Sequence, residues 1–190
     1  MEAQVRSDQT KPPPSADGAS SREERAGRAQ PHVLWVDDDD PDRFVYERDL
    51  LERHGWKVTW ARDVEEAANA LHREHFDAMI LDQMIAGNGV EEQSVIWAGC
   101  HLLRWLRGVD PPPSRRRGEG TWPALQNISP NAVNKQVPVA ILSAYHDKDV
   151  LQQTQSASEQ DRKAPFLGKP VKEQELLAFL QRVRPDPKLS

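Results

Sequence analysis

The stretch that decides the fold is the apolar run Val33-Leu34-Trp35-Val36, which passes at once into four acidic residues, Asp37-Asp38-Asp39-Asp40. Three further short apolar runs lead to a polar residue in the same way; these residues are Asp82 after 78–81, Ser143 after 139–142 and Lys169 after 165–168. Unbroken apolar runs are typical of buried parallel strands, and in an open α/β sheet the ligand site borders the carboxyl ends of the strands. The polar residues are therefore expected to face one crevice.

The residue types at these strand ends suit one kind of ligand. Carboxylate oxygens are preferred ligands of Mg²⁺, which also shares the oxygens of substrate phosphates. A hydroxyl group and an ammonium group beside the carboxylates add a hydrogen-bond donor and a positive charge for a phosphoryl group. The sequence therefore predicts a crevice that holds Mg²⁺ and phosphate.

Helical patterns separate the predicted strands. A first helix is expected over Arg43–His54, with Asp40 as its cap and Gly55 as its stop, and a second begins at Asp63. The remaining elements are a strand at 56–60 and helices at about 94–107, near residue 150 and around 176–183. Five strands that alternate with five helices predict an α/β fold, a doubly wound parallel sheet with helices on both faces.

Composition narrows the functional class. The net charge of -5 and pI of about 5.7 argue against a nucleic-acid-binding surface, which normally carries a basic excess. The single cysteine, Cys100, excludes an internal disulfide and fits a reducing compartment. The sequence contains neither an apolar stretch of membrane-spanning length nor the apolar core of a signal peptide. A cytoplasmic protein without a membrane partner is expected.

Length and local composition predict one domain with tails. Residues 1–30 include Pro12-Pro13-Pro14 and almost no apolar side chains, which predicts a disordered N-terminal tail. The domain is expected over 31–184, followed by a short tail at 185–190. A long insertion at about 109–136 carries Pro and Arg triplets, and loops of this length are usually functional or disordered. Because the chain ends shortly after its last predicted helix, a single-domain protein without an output domain is expected.

The motifs in this order resemble the receiver domains of two-component response regulators. The matching stretches are Val33–Asp38, Ile80-Leu81-Asp82, Ile141-Leu142-Ser143-Ala144 and Lys169-Pro170, and Gly99 matches the family's glycine at the start of the third helix. The resemblance runs from about residue 33 to about residue 183. It implies a flavodoxin-like sheet with the strand order 2-1-3-4-5, and a phosphoacceptor signalling domain rather than an enzyme.

The resemblance also implies residue roles. Asp82 would accept the phosphoryl group, and Asp37, Asp38, Asp82 and the backbone carbonyl of Met84 would hold Mg²⁺. Lys169 and Ser143 would stabilise the phosphoryl oxygens, and Ser143 with Phe166 would form the switch. The implied partners are a sensor histidine kinase or phosphotransfer protein and a downstream protein. The fourth helix, fifth strand and fifth helix are the implied partner face, including for a homodimer.

Three alternatives stay open at the level of sequence. The acidic run admits Asp38 with Asp39 as the metal pair in place of Asp37 with Asp38. A pseudo-receiver would keep the fold and bind a partner without phosphorylation, and the remodelled loop after Asp82, where Met84-Ile85 replaces the family's Met-Pro, leaves this open. A phosphatase of the haloacid-dehalogenase type would use Asp37 as nucleophile; its remaining residues would be Asp39, Ser143 and Lys169.

Overall fold

The computed structural model describes residues 30–85, 98–109, 128–144 and 159–184. All of these except Gln30 belong to one unit, residues 31–190. Several expectations lie outside the described residues: the two tails, the helix near residue 150 and most of the insertion. The predicted domain bounds therefore stay a prediction.

Five strands form one parallel sheet in the order β2-β1-β3-β4-β5. The strands are β1 (His32–Val36), β2 (Lys57–Ala61), β3 (Ala78–Asp82), β4 (Val139–Ser143) and β5 (Phe166–Gly168). Every residue of β1, β3 and β4 is buried, which explains why these three strands read as unbroken apolar runs. The predicted doubly wound sheet and its strand order are confirmed.

Four α-helices are described, namely α1 (Val45–Arg53), α2 (Val64–Arg73), α3 (Ala98–Arg107) and α4 (Glu173–Val183). The first helix starts later than predicted, because a 3-10 turn over Pro41–Phe44 precedes it, and the side chain of Asp40 caps this turn by accepting from the backbone N–H of Asp42 at 3.0 Å. Asp63 caps α2, as predicted, by accepting from the Glu66 N–H at 2.7 Å. Within the described ranges, no helix is long and apolar enough to cross a membrane.

The two faces of the sheet carry separate apolar cores. Alternate residues of β1 point to opposite faces, Leu34 and Val36 to one, Val33 and Trp35 to the other. The first face packs against α2 and α3 through Leu71 and Leu103 among others, and the second packs against α1 and α4. Helices cover both faces of the sheet, which leaves the two ends of the parallel strands. We refer to the end where the strands begin as the amino edge and to the end where they finish as the carboxyl edge.

At the amino edge, the end of the predicted insertion is part of the folded domain. A 3-10 helix at Ala132–Gln136 places the fully buried Asn134 under the α2–β3 turn. Its Oδ1 accepts from the Phe76 N–H at 3.0 Å, and its Nδ2 donates to the carbonyls of Leu71 at 2.8 Å and Glu74 at 2.6 Å. These contacts anchor residues 132–136 to the folded domain, through a buried side chain that the sequence did not single out.

A buried ion pair also lies at the amino edge. Nε and Nη2 of Arg107, at the end of α3, donate to the two oxygens of Asp161 at 2.9 and 2.7 Å. The same guanidinium donates to the carbonyls of Lys135 at 2.8 Å and Val137 at 2.9 Å. This bidentate pair fixes the end of α3 to the segments that enter β4 and β5.

Candidate functional site

The polar residues predicted at the strand ends meet at the carboxyl edge of the sheet. Asp37 directly follows β1, Asp82 and Ser143 end β3 and β4, and Lys169 directly follows β5. The strand register explains the meeting, because Val36 lies beside Leu81, Asp82 beside Leu142 and Ser143 beside Gly168. One crevice therefore contains residues that are up to 132 positions apart in the chain.

Lys169 lies at the centre of this crevice. Its Nζ is 2.5 Å from Oδ2 of Asp82, 3.0 Å from Oδ1 of Asp37 and 2.9 Å from Oδ2 of Asp37. Asp39 also contacts it, with Oδ2 at 3.1 Å. The ammonium thus bridges the ends of β1 and β3, where it offsets part of the carboxylate charge.

Three carboxylates form a group that fits a divalent cation. Asp37, Asp38 and Asp82 each offer an oxygen, and these three atoms lie within 4.8 Å of one another. Asp37 and Asp82 are buried, whereas Asp38 is exposed. Hard carboxylate oxygens with an opening to solvent suit Mg²⁺, which keeps several waters in its coordination shell. The donor set therefore fits the predicted metal.

Asp39 is used differently from the three carboxylates of this group. Its Oδ1 accepts from Nη1 of Arg43 at 2.6 Å, and its Oδ2 accepts from Lys169. Both oxygens therefore already face cations of the protein. Because Asp39 also lies outside the group of three carboxylates, the geometry favours Asp37 with Asp38 over Asp38 with Asp39 as the metal pair.

Local hydrogen bonds fix the two buried carboxylates. The backbone N–H two residues on donates to each side chain, Asp39 N–H to Oδ1 of Asp37 and Met84 N–H to Oδ1 of Asp82, both at 3.0 Å. Such turns are a common role of aspartate where a strand ends. The indole Nε1 of Trp60 adds a hydrogen bond to the carbonyl of Asp37 at 3.2 Å. The positions of the carboxylates are thus set before any ligand binds.

An aromatic cluster of Trp35, Phe44 and Trp60 lies beside the acidic residues. The rings of Trp35 and Trp60 are stacked at 5.4 Å, and Phe44 lies 5.4 and 5.2 Å from them. Nζ of Lys169 lies 5.6 Å from the centre of the Phe44 ring, a distance at which a cation is attracted to the ring face. The apolar wall of the site therefore also holds the lysine.

Gly99 allows α3 to pack closely against the end of β3. Its N–H donates to the carbonyl of Gln83 at 3.2 Å, and a Cβ at this position would lie 2.2 Å from the carbonyl oxygen of Asp82. Any larger residue must therefore push the strand end and the helix apart. The glycine expected at the start of the third helix thus has a steric reason.

Desolvation and the neighbouring charges shift the pKa values of the site. Burial raises the pKa of Asp37 despite its hydrogen bond with Lys169. Asp38 is exposed as a residue, but the surrounding protein removes part of the water around its carboxyl group, and this desolvation together with the charge of Asp82 raises its pKa. Burial opposes the charged forms of Asp39 and Lys169 as well. Hydrogen bonds within the cluster outweigh it, so that the pKa of Asp39 falls and the pKa of Lys169 rises.

The remaining residues named in the predicted site lie in or next to β3, β4 and β5. Ser143 is buried, and its carbonyl accepts from the Lys169 N–H at 3.1 Å. Phe166 is half-buried at the start of β5, beside Ile141 of β4, and Met84 is exposed. Sequence reasoning missed the Arg43–Asp39 pair and the Trp60 hydrogen bond. The i, i+4 spacing of Asp39 and Arg43 was a usable signal for the first.

The fold is shared with solved receiver domains, all at modest sequence identity. The Francisella response regulator 1452 receiver domain has a TM-score of 0.54 and 22% identity, over 80% of this chain and 95% of that chain. Chemotaxis response regulator CheY4 of Vibrio cholerae has a TM-score of 0.55 and 21% identity, over 82% and 99%. A receiver domain of a Pseudomonas aeruginosa sensor histidine kinase, solved with magnesium in its active site cleft, has a TM-score of 0.53 and 20% identity, over 81% and 97%.

The sequence is also similar to that of a curated sensory and regulatory protein. The sensory/regulatory protein RpfC of Xanthomonas campestris is 29% identical over 148 residues, which is 78% of this chain. The match spans 16% of the length of that relative. No family model matches the chain. The chain therefore has the CheY-like receiver fold, and resembles receiver domains of two-component proteins.

Proposed function

We propose that the chain is a receiver domain that accepts a phosphoryl group on Asp82 from a sensor histidine kinase or phosphotransfer protein. One observation carries the proposal. An oxygen of Asp82 lies within 4.8 Å of oxygens of Asp37 and Asp38, and the Asp82 carboxylate also contacts the ammonium of Lys169. An acceptor carboxylate, ligands for a cation and a fixed positive charge are the parts that phosphoryl transfer requires. The receiver fold supports this assignment.

In the proposal, Asp37, Asp38 and Asp82 hold Mg²⁺, and the backbone carbonyl of Met84 is a further ligand by resemblance. The bound cation would neutralise carboxylate charge and so permit the approach of an anionic phosphoryl group. The short turns at Asp37 and Asp82 keep the ligand oxygens in place, which lowers the reorganisation needed for binding.

The transfer step would exchange one phosphorus bond for another. An oxygen of Asp82 attacks the phosphorus of a phosphohistidine, the phosphorus–nitrogen bond breaks, and its electron pair stays on the imidazole, which takes a proton from solvent. The product is an acyl phosphate on Asp82. Lys169 already lies 2.5 Å from this carboxylate, so it can follow the charge onto a phosphoryl oxygen. Ser143, which ends the neighbouring strand, would donate to another oxygen.

Signalling would then proceed through β4 and β5. Movement of Ser143 toward the phosphoryl group would change the space beside β5, where Phe166 begins the strand. Phe166 is half-buried, so an inward rotation would increase its burial. The face that the resemblance implies, made of β5, α4 and the predicted helix near residue 150, which lies outside the described residues, would present the change to a downstream protein or a second copy of the chain.

Intact-mass analysis after incubation with Mg²⁺ and a small phosphodonor tests the proposal. We expect one phosphoryl group on the wild-type chain, released by hydroxylamine as an acyl phosphate is, and none on Asp82→Asn. Asp49→Asn serves as the control, because Asp49 is an exposed carboxylate of α1 that pairs with Arg53. Equal labelling of wild type and Asp82→Asn would disprove the acceptor role. A folded wild type that stays unlabelled would favour a pseudo-receiver.

A further inference from the structure

Lys169 occupies oxygens that the proposed cation needs. Its Nζ lies within 3.0 Å of both oxygens of Asp37 and 2.5 Å from Asp82, and both carboxylates belong to the metal-fitting group. An ammonium and a divalent cation repel each other, and they cannot share the same lone pairs. Repulsion between the two cations therefore favours movement of Lys169 away from Asp37 when Mg²⁺ binds there.

Asp39 offers Lys169 a contact outside the metal-fitting group. Its Oδ2 lies 3.1 Å from Nζ, and among the described residues it is the carboxylate that contacts Lys169 without belonging to that group. Its Oδ1 is held at 2.6 Å by Arg43, four residues on in the 3-10 turn. Each oxygen thus serves a different cation, and Arg43 keeps the carboxylate turned toward the lysine.

We propose that Asp39 is a positioning residue, which keeps the Lys169 ammonium beside Asp82 while Mg²⁺ replaces it at Asp37. The inference rests on the proposed function, since it assumes that the cation binds at Asp37, Asp38 and Asp82. Without Asp39, the carboxylates that still contact Lys169 among the described residues are metal-binding ones, so the lysine competes more strongly with the cation. Asp39 would therefore act on the metal through the lysine.

Calorimetric titration with Mg²⁺ tests this role without measuring phosphorylation. We expect Asp39→Asn to weaken Mg²⁺ binding about fivefold, the effect of one partly exposed ion pair. Asp40→Asn is the matched control, because it removes the same charge from the same acidic run, and asparagine caps the 3-10 turn as well as aspartate does. We expect the control to change the affinity less than twofold.

A double-mutant cycle with Lys169→Met isolates the lysine. In that background, Asp39→Asn should have no larger effect than Asp40→Asn. In the wild-type background, Asp39→Glu keeps the charge and should keep most of the Mg²⁺ affinity that Asp39→Asn loses. Equal effects of Asp39→Asn with and without Lys169 would overturn the inference. If Lys169→Met does not fold, equal losses in Asp39→Asn and Asp40→Asn would overturn it. A wild type that binds no Mg²⁺ would instead refute the proposed metal site, and the inference with it.

Discussion

The two edges of the sheet treat buried charge in opposite ways. At the amino edge, the Asp161 carboxylate is 1% exposed and receives a bidentate pair from Arg107, whose other donors reach backbone carbonyls. At the carboxyl edge, the Asp37 residue is 0% exposed, but it shares one lysine with Asp39 and Asp82. At the amino edge the opposite charges are balanced, and the pair stabilises the fold. The carboxyl edge keeps an excess of negative charge that a cation can neutralise.

The largest expected effect lies at the amino edge. Asp161→Asn should lower the free energy of unfolding by about 3 kcal/mol, because it leaves the buried guanidinium of Arg107 without a counter-ion. Urea denaturation measures the loss. Asp49→Asn, which breaks an exposed pair with Arg53, should cost less than about 1 kcal/mol. Equal losses in the two variants would show that the buried pair is no more important than a surface one.

Gly99→Ala should affect stability and the site together. The added Cβ would lie 2.2 Å from the Asp82 carbonyl oxygen, so we expect a loss of about 2 kcal/mol and weaker Mg²⁺ binding. The control is Gly108→Ala at the other end of α3. There φ is +73° and an added Cβ would contact nothing beyond the adjacent backbone within 4 Å, so about 1 kcal/mol of backbone strain is expected, with Mg²⁺ binding unchanged. Normal Mg²⁺ binding by Gly99→Ala would contradict the steric argument.

Asp37→Asn provides the direct counterpart of Asp161→Asn. Burial raises the pKa of Asp37, so its charged form is less favourable in the folded chain than in the unfolded chain. Without Mg²⁺ we therefore expect stability to be unchanged or higher by about 1 kcal/mol. With Mg²⁺ the wild type should gain stability and the variant should gain little. A metal-free variant as unstable as Asp161→Asn would remove the contrast between the edges.

The pH dependence should be the smallest effect. Protons compete with Mg²⁺ for Asp37 and Asp38, whose raised pKa values mean that protons bind more readily than to ordinary aspartates. Affinity should therefore fall as the pH drops, and the fall should begin above the usual aspartate range of about 4. Calorimetry in buffers with different ionisation enthalpies counts the protons released. Proton release confined to lower pH would indicate that the carboxylates are ordinary.

The sheet and the crevice at its carboxyl edge could be predicted from the sequence, because both follow from one pattern. Apolar runs that lead to a polar residue define β1, β3, β4 and β5, and parallel pairing necessarily gathers Asp37, Asp82, Ser143 and Lys169 at one edge. The steric role of Gly99 was accessible only through the family resemblance.

The contacts at the amino edge could not be predicted from the sequence, because they join distant residues and follow no local pattern. Arg107 and Asp161 are 54 positions apart, and each reads as an ordinary surface charge in sequence. Asn134 lies within a segment that reads as an insertion, and its burial depends on backbone groups of the α2–β3 turn. The contact between Asp39 and Lys169 could not be predicted for another reason. A run of four acidic residues does not reveal which side chain turns toward Lys169.

The hydrogen bond from Trp60 to the Asp37 carbonyl gives the protein an intrinsic optical probe. Indole emission depends on the polarity around the ring and on the partner of its N–H group, and this N–H donates to the residue that precedes the exposed Asp38. The stacked Trp35 links the same probe to the interior of β1. A rearrangement of residues 37–40 should thus change the fluorescence of the unlabelled chain. Binding at the carboxyl edge could therefore be followed in real time.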